Sequence, residues 1–149
     1  MQAVHIVIAD DHSVVRRGLR WLLESQPGWE VCAEASNGRE AVELAEQFKP
    51  NVAVLDVTMP ELNGLEATPQ IVKSIPGTEV LILTMHASEE VAREARRAGA
   101  LGFMMKSDTD AQLIGAVETL LKHKPFFSRR ALTNLSASST TNVRTKLWT

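Results

Sequence analysis

Five short apolar runs recur along the chain: Val4-His5-Ile6-Val7-Ile8-Ala9, Glu30-Val31-Cys32-Ala33-Glu34-Ala35, Val52-Ala53-Val54-Leu55-Asp56, Glu79 to Thr84, and Leu101-Gly102-Phe103-Met104-Met105. Between them lie longer segments whose apolar residues repeat at helical spacing, the signature of consecutive strand–helix units and a parallel sheet. Strands are expected over residues 4–9, 30–35, 52–56, 79–84 and 101–105. The first helix is expected from Ser13 to Ser25, with Val14, Val15, Gly18, Leu19, Leu22 and Leu23 on one apolar face. The second runs from Gly38 or Arg39 to Phe48 and stops before Pro50, which disfavours helical geometry at Asn51. The third follows Asn63, the fourth follows Ser88-Glu89-Glu90 and ends at Gly99, and the fifth spans about Thr109 to His123. Pro69 lies inside the third and lacks a backbone donor, so a start delayed to Leu65 or Glu66, or a distorted one, is expected. Right-handed crossovers then place helices on both faces of a five-stranded sheet.

Four of the runs finish in polar residues: Asp10-Asp11, Asp56, Thr84 and Lys106. Ligands of open parallel sheets bind at the carboxyl ends of the strands, so this pattern predicts a pocket. If the first and third strands are neighbours, Asp10, Asp11 and Asp56 form a cluster that repels itself and calls for raised pKa values or a cation. Hard oxygen ligands with room for waters suit Mg²⁺, with Mn²⁺ a substitute. Capping of the first helix is the plainer use of Asp10 and Asp11, but two adjacent acids exceed what a cap needs. Asp56 is the candidate nucleophile, able to accept a phosphoryl group as an acyl phosphate. Thr84 could donate to a phosphoryl oxygen, and Lys106 could pair with that oxygen or with Asp56. Taken singly, Thr84 is a β-branched strand residue and Lys106 a solvated strand end; together, at successive strand ends, they point to function.

The 149 residues suffice for one domain with a core and a short appendage. No apolar stretch approaches the roughly 18 residues that span a bilayer, and no secretory signal opens the chain, so a cytoplasmic protein with no membrane partner is expected. The single Cys32 sits in a strand-like alternation and reads as a buried, inert thiol. Charge is uneven: all 18 acids lie at or before Glu118, while the remainder carries six Lys or Arg and no acid. That basic end could touch nucleic acid, membrane or the protein's own acidic body, or simply be solvated. Residues 134–142 are polar, small and aperiodic, as linkers and tails are, and Trp148 beyond them is either a stray or an anchor.

Asp10-Asp11 after the first strand, Asp56 with Met59-Pro60 and Gly64, Thr84, and Lys106 preceded by Gly102-Phe103-Met104-Met105 together resemble the receiver domains of two-component response regulators, over about residues 3–126. The wording from Ala98 to Ser107 looks most like the NarL/FixJ (LuxR-type) branch. The resemblance implies an α/β, flavodoxin-like doubly wound sheet of strand order 2-1-3-4-5. It implies phosphorylation of Asp56 by a sensor histidine kinase, with Mg²⁺ held by Asp11, Asp56 and the main-chain carbonyl of Thr58, and Asp10 assisting. Lys106 and Thr84 would hold the phosphoryl group. Thr84 would move toward it and Phe103 would rotate into the vacated space, changing the surface of the fourth helix, fifth strand and fifth helix; otherwise Phe103 is a static core aromatic. Thr58 and His86 would flank the phosphoryl group and tune its loss, although His86 also reads as an exposed loop histidine.

Departures refine this picture. Ser107 replaces a frequent proline, so a trans bond after Lys106 is expected, and Phe103 replaces a frequent tyrosine. Relatives of this branch usually continue into a helix-turn-helix domain, which residues 128–149 are too few to build. Residues 1–127 thus read as the receiver and 128–149 as a basic tail or truncated linker. The chain is then either the N-terminal part of a DNA-binding transcriptional regulator, touching DNA only through a domain it lacks, or a stand-alone receiver acting as docking module or phosphate relay. Homodimerisation through the fourth-to-fifth-helix face, or the first and fifth helices, is open because Leu113, Ile114, Val117 and Leu120 could extend outward. A phosphatase of the haloacid-dehalogenase type would need an acid where Thr58 stands, so a turnover enzyme is not expected. Two acids after the first strand would repel the pyrophosphate of a nicotinamide cofactor.

Overall fold

A computed structural model describes residues 3–86 and 88–127. In chain order these form β1 (Val4–Ala9), α1 (Ser13–Glu24), β2 (Trp29–Ala35), α2 (Gly38–Phe48), β3 (Val52–Asp56), α3 (Gly64–Ser74), β4 (Glu79–Thr84), α4 (Glu89–Ala98), β5 (Gly102–Met105), a 3-10 turn at Lys106–Asp108, α5 (Thr109–Leu121) and β6 (Phe126–Phe127). The strands pair in parallel in the order β2-β1-β3-β4-β5-β6. The doubly wound sheet and the order 2-1-3-4-5 are present. The sixth strand is an addition to the five expected. Two residues are too few to show alternation, but Phe126 and Phe127 pair with Gly102 and Phe103, and the Phe127 ring stacks on Phe103 with centroids 5.9 Å apart.

Strand side chains alternate between two cores, as they must in a sheet covered on both faces. Ile6, Ile8, Val52, Val54, Leu81, Leu83 and Met104 pack with Leu19 and Leu23 of α1 and Leu113, Val117 and Leu120 of α5. Leu55, Val80, Ile82 and Phe103 pack on the other face, largely against alanines of α2, α3 and α4: Ala41, Ala45, Ala67, Ala92 and Ala95. Leu113, Val117 and Leu120 are fully buried, and so cannot supply an outward dimer face; only Ile114 of that set is half-buried.

The apolar face of α1 is narrower than the expected one. Leu19 and Leu23 are buried, whereas Val14 is 73% exposed. Val15 and Leu22 are half-buried at the edge of that core, and with Val14 and Gly18 they line an open groove facing the start of α5. The helix meets the sheet through its Leu19–Leu23 row, and a face six residues wide exceeds what one side of the sheet can cover.

Helix α3 starts without delay at Gly64. Asn63 accepts from the Glu66 N–H at 2.8 Å and the Glu66 carboxylate accepts from the Asn63 N–H at 3.0 Å, a reciprocal cap that fixes the first turn. Pro69 stands inside the helix, beyond that turn. Glycine is required at position 64, because a Cβ there would overlap the main-chain oxygen of Asp56. Helix α4 ends at Gly99 with φ of 108°, as expected for a left-handed cap. Cys32 is half-buried rather than buried, and burial pushes its thiol pKa up. No peptide bond among the described residues is cis, so Lys106–Ser107 is trans. No helix among them is long and apolar enough to cross a membrane. The basic end from Ser128 on, with Trp148, lies outside the described residues.

Candidate functional site

Because β1, β3, β4 and β5 are neighbours, their carboxyl ends bring Asp10, Asp56, Thr84 and Lys106 to one end of the sheet. Asp56 is the last residue of β3, opposite Leu83, and Thr84 is the last of β4, opposite Met105. Lys106 follows β5 directly and opens the 3-10 turn that leads into α5. Its ammonium lies 2.6 Å from Asp10 Oδ2 and 3.2 Å from Asp56 Oδ2. Asp10 is fully buried and Asp56 is 3% exposed. One cation thus sits between two dehydrated carboxylates, an arrangement that leaves room for a further positive charge.

The pKa shifts follow from this crowding. Burial, then the charge of Asp10, pushes the Asp56 carboxyl up; Lys106 and a hydrogen bond from the Thr58 main chain only partly oppose this. Burial would lower the Lys106 ammonium, but its hydrogen bond to Asp10 and the charges of Asp56 and Asp10 outweigh that and hold it above the ordinary lysine value.

A pocket of about 470 Å³ opens over these groups, and its lining includes Asp11, Asp56, Thr58, His86 and Lys106. Five of the expected residues therefore face one space. Asp10 and Thr84 are buried and do not line it, and Phe103 is fully buried in the core. The Thr84 hydroxyl donates to the His86 carbonyl at 3.0 Å and accepts the His86 N–H at 3.2 Å, so it is engaged within its own loop.

Neither Asp10 nor Asp11 caps α1. The cap position is His12, which makes no side-chain cap bond; the His12 N–H instead donates to Asp10 Oδ1 at 2.9 Å. The His12 ring nitrogen Nδ1 is 3.3 Å from Asp10 Oδ1 and 3.1 Å from Asp11 Oδ1. Ligand atoms of Asp10, Asp11 and His12 lie within 4.8 Å of one another. Two carboxylates beside an open pocket suit a hard divalent cation such as Mg²⁺. Asp56 lines the same pocket without being part of that tight group.

His12 was not singled out from sequence, nor were Arg16 and Glu34. Arg16 Nη1 donates to the Asp10 main-chain carbonyl at 2.6 Å, and Arg16 Nε to Glu34 at 3.1 Å. Glu34 also accepts from Arg20 at 2.7 Å. Burial would raise the Glu34 carboxyl, but the hydrogen bonds from Arg20 and Arg16 outweigh it and hold the group below the usual carboxylate range. The available signal was the adjacency of β2 to β1, which puts Glu34 beside the acidic loop.

The family model of the response regulator receiver domain matches residues 6–118. The oxygen regulatory protein NreC of Staphylococcus haemolyticus is 42% identical over 131 residues, 87% of this chain and 60% of that protein. The transcriptional regulatory protein DegU of Brevibacillus brevis is 36% identical over 133 residues, 89% of this chain and 56% of that one. Among solved structures, a LuxR-family two-component response regulator from Aurantimonas sp. SI85-9A1 superposes with a TM-score of 0.85 at 36% identity, covering 90% of this chain and 96% of the other. The receiver domain of the putative response regulator NarL from Mycobacterium tuberculosis gives 0.78 at 31%, covering 83% and 100%. The chain belongs to the response regulator receiver family, and its relatives place it in the NarL/LuxR branch of two-component regulators. It spans a little over half the length of the curated relatives it matches.

Proposed function

We propose that this chain is a phosphoryl-accepting receiver in which Asp56 takes a phosphoryl group from the phosphohistidine of a sensor histidine kinase. The observation that carries this reading is the half-buried Lys106 ammonium, which is shared between Asp10 and Asp56 and lines an open pocket. The Asp56 carboxylate forms a bond to phosphorus as the phosphorus–nitrogen bond of the donor breaks, and the Lys106 ammonium meets the charge gained on the transferred oxygens. A divalent cation held by Asp10, Asp11 and Asp56, with the Thr58 carbonyl, supplies neutralising charge when bound. Asp10 stays ion-paired beneath the site and keeps Lys106 protonated and aimed.

Thr84 then exchanges its bonds to the His86 main chain for one to a phosphoryl oxygen. Phe103 is already inside the core, so its response is a repacking against Phe127 and β6 rather than an entry from solvent. Thr58 and His86, both exposed at the pocket, regulate water's approach to the acyl phosphate. The pocket offers no acid two residues beyond Asp56, and loss of the group is slow rather than enzymatic. The names of the relatives support a transcriptional output through a segment outside these residues.

Intact-mass spectrometry after incubation with acetyl phosphate and Mg²⁺ tests this. The expected result is one adduct of about 80 Da, the mass of a phosphoryl group, absent without metal and absent in Asp56→Asn. A folded chain that takes no adduct would instead favour a docking module that works without phosphorylation.

A further inference from the structure

We infer that Arg16, itself fixed by Glu34, is a positioning residue that aims the Asp11 carboxylate and thereby sets the affinity of the acidic loop for its divalent cation; this rests on the reading of the site given above. Asp11 is the least anchored of the pocket's carboxylates. It is exposed, and among the described residues its carboxylate has one partner, the exposed His12 imidazole at 3.1 Å. The main chain therefore sets where its Cα–Cβ bond starts and which way it leaves the loop.

That main chain is clamped on both sides of Asp10. The Asp10 N–H donates to the Ala35 carbonyl at the end of β2, at 3.0 Å. The Asp10 carbonyl accepts from Arg16 Nη1 at 2.6 Å. A peptide unit is planar, so fixing the Asp10 carbonyl fixes the plane that carries the nitrogen and Cα of Asp11. The guanidinium is held in turn, because Glu34 takes Arg16 Nε at 3.1 Å with one oxygen and Arg20 Nη1 at 2.7 Å with the other. The Arg16 side chain is 19% exposed and the Glu34 side chain 27%, so the pair is shielded enough to keep one geometry. Outer groups that orient a metal's ligands act on affinity in this way.

The inference separates from a charge effect by its sign. Arg16 is a cation near a cation site, so its removal on Coulombic grounds alone would tighten Mg²⁺ binding. A positioning role requires the opposite. The test is calorimetric titration of Mg²⁺ into the full chain and Arg16→Ala, with thermal melting of both. The expected result is binding weakened by about tenfold in a variant that still melts cooperatively. Unchanged or tighter binding would overturn the inference. If Arg16→Ala fails to fold, Arg16→Met, which keeps the unbranched stem and removes every donor, decides by the same criterion. No Mg²⁺ binding by the unaltered chain would remove the underlying reading, and the inference with it.

Discussion

The two sides of the pocket are built differently. On the β1 side, the loop Asp10-Asp11-His12 is tied by its main chain to Ala35 and Arg16, by Asp10 to Lys106, and by Arg16 to Glu34. On the β4 side, the Thr84 hydroxyl bonds only the main chain of His86 among the described residues, and Met85 and His86 are exposed. Charge explains the contrast. Buried carboxylates tolerate no slack, since each loses several kcal/mol of hydration and must keep its partners. A neutral hydroxyl that exchanges one acceptor for another loses about 1 kcal/mol at most. Under the proposed function, the acidic side is the part held ready for a cation, and the hydroxyl side is the part that responds.

The strongest break in this comparison is Asp56→Asn, which removes the proposed phosphoryl acceptor between the two sides. It is expected to abolish phosphorylation, read as loss of the mass adduct. It also tests the pH dependence. Asp56 has a folded-state pKa above its unfolded value because of burial and the charge of Asp10. It therefore contributes stability below the unfolded carboxyl pKa, and that contribution is lost as pH rises through the higher folded value. Denaturant unfolding should show Asp56→Asn more stable than the parent at pH 7, and the difference should vanish at low pH. Phosphorylation by acetyl phosphate should fall, on acidification, at a higher pH than an ordinary carboxylate would give.

Next in size is Lys106→Ala, which leaves Asp10 and Asp56 buried without their shared cation. Removing one partner of such a set is expected to cost about 3 kcal/mol in urea unfolding at neutral pH, with Mg²⁺ restoring part of it. On the responsive side the effects are smaller. Thr84→Val should change stability by about 1 kcal/mol or less, yet uncouple phosphorylation from any change around Phe103, seen as an unshifted Phe103 ring signal in NMR. His86→Ala should change the lifetime of the acyl phosphate severalfold with stability untouched; an unchanged lifetime removes His86 from the mechanism.

Most of the pocket was legible because strand ends are easy to read. A run of Val, Leu and Ile that stops at Asp56 or Thr84 marks both the strand and the polar residue placed at its carboxyl end. What escaped notice lies at positions where sequence carries no periodic signal. Arg16 and Glu34 reach the site through side chains on α1 and β2, and only the pairing of β2 with β1 makes them neighbours. His12 looks like any loop histidine until Asp10 and Asp11 surround it. The two residues of β6 show no alternation, and their role appears only when Phe127 meets Phe103. The narrowed face of α1 and the buried face of α5 are failures of another kind: apolar spacing shows that a helix has a buried side, but how far each of six apolar positions is covered depends on the sheet beneath. At Pro69 the expectation weighed the missing donor and overlooked the Asn63–Glu66 cap, which was present in the sequence.

Amide hydrogen exchange tests the contrast between the two sides most directly, with Mg²⁺ present throughout and acetyl phosphate added to one sample. The account predicts that phosphorylation changes exchange in peptides covering residues 82–92 and 101–107, while residues 9–17 exchange alike in both. A response concentrated in residues 9–17, with 82–92 unmoved, would contradict it.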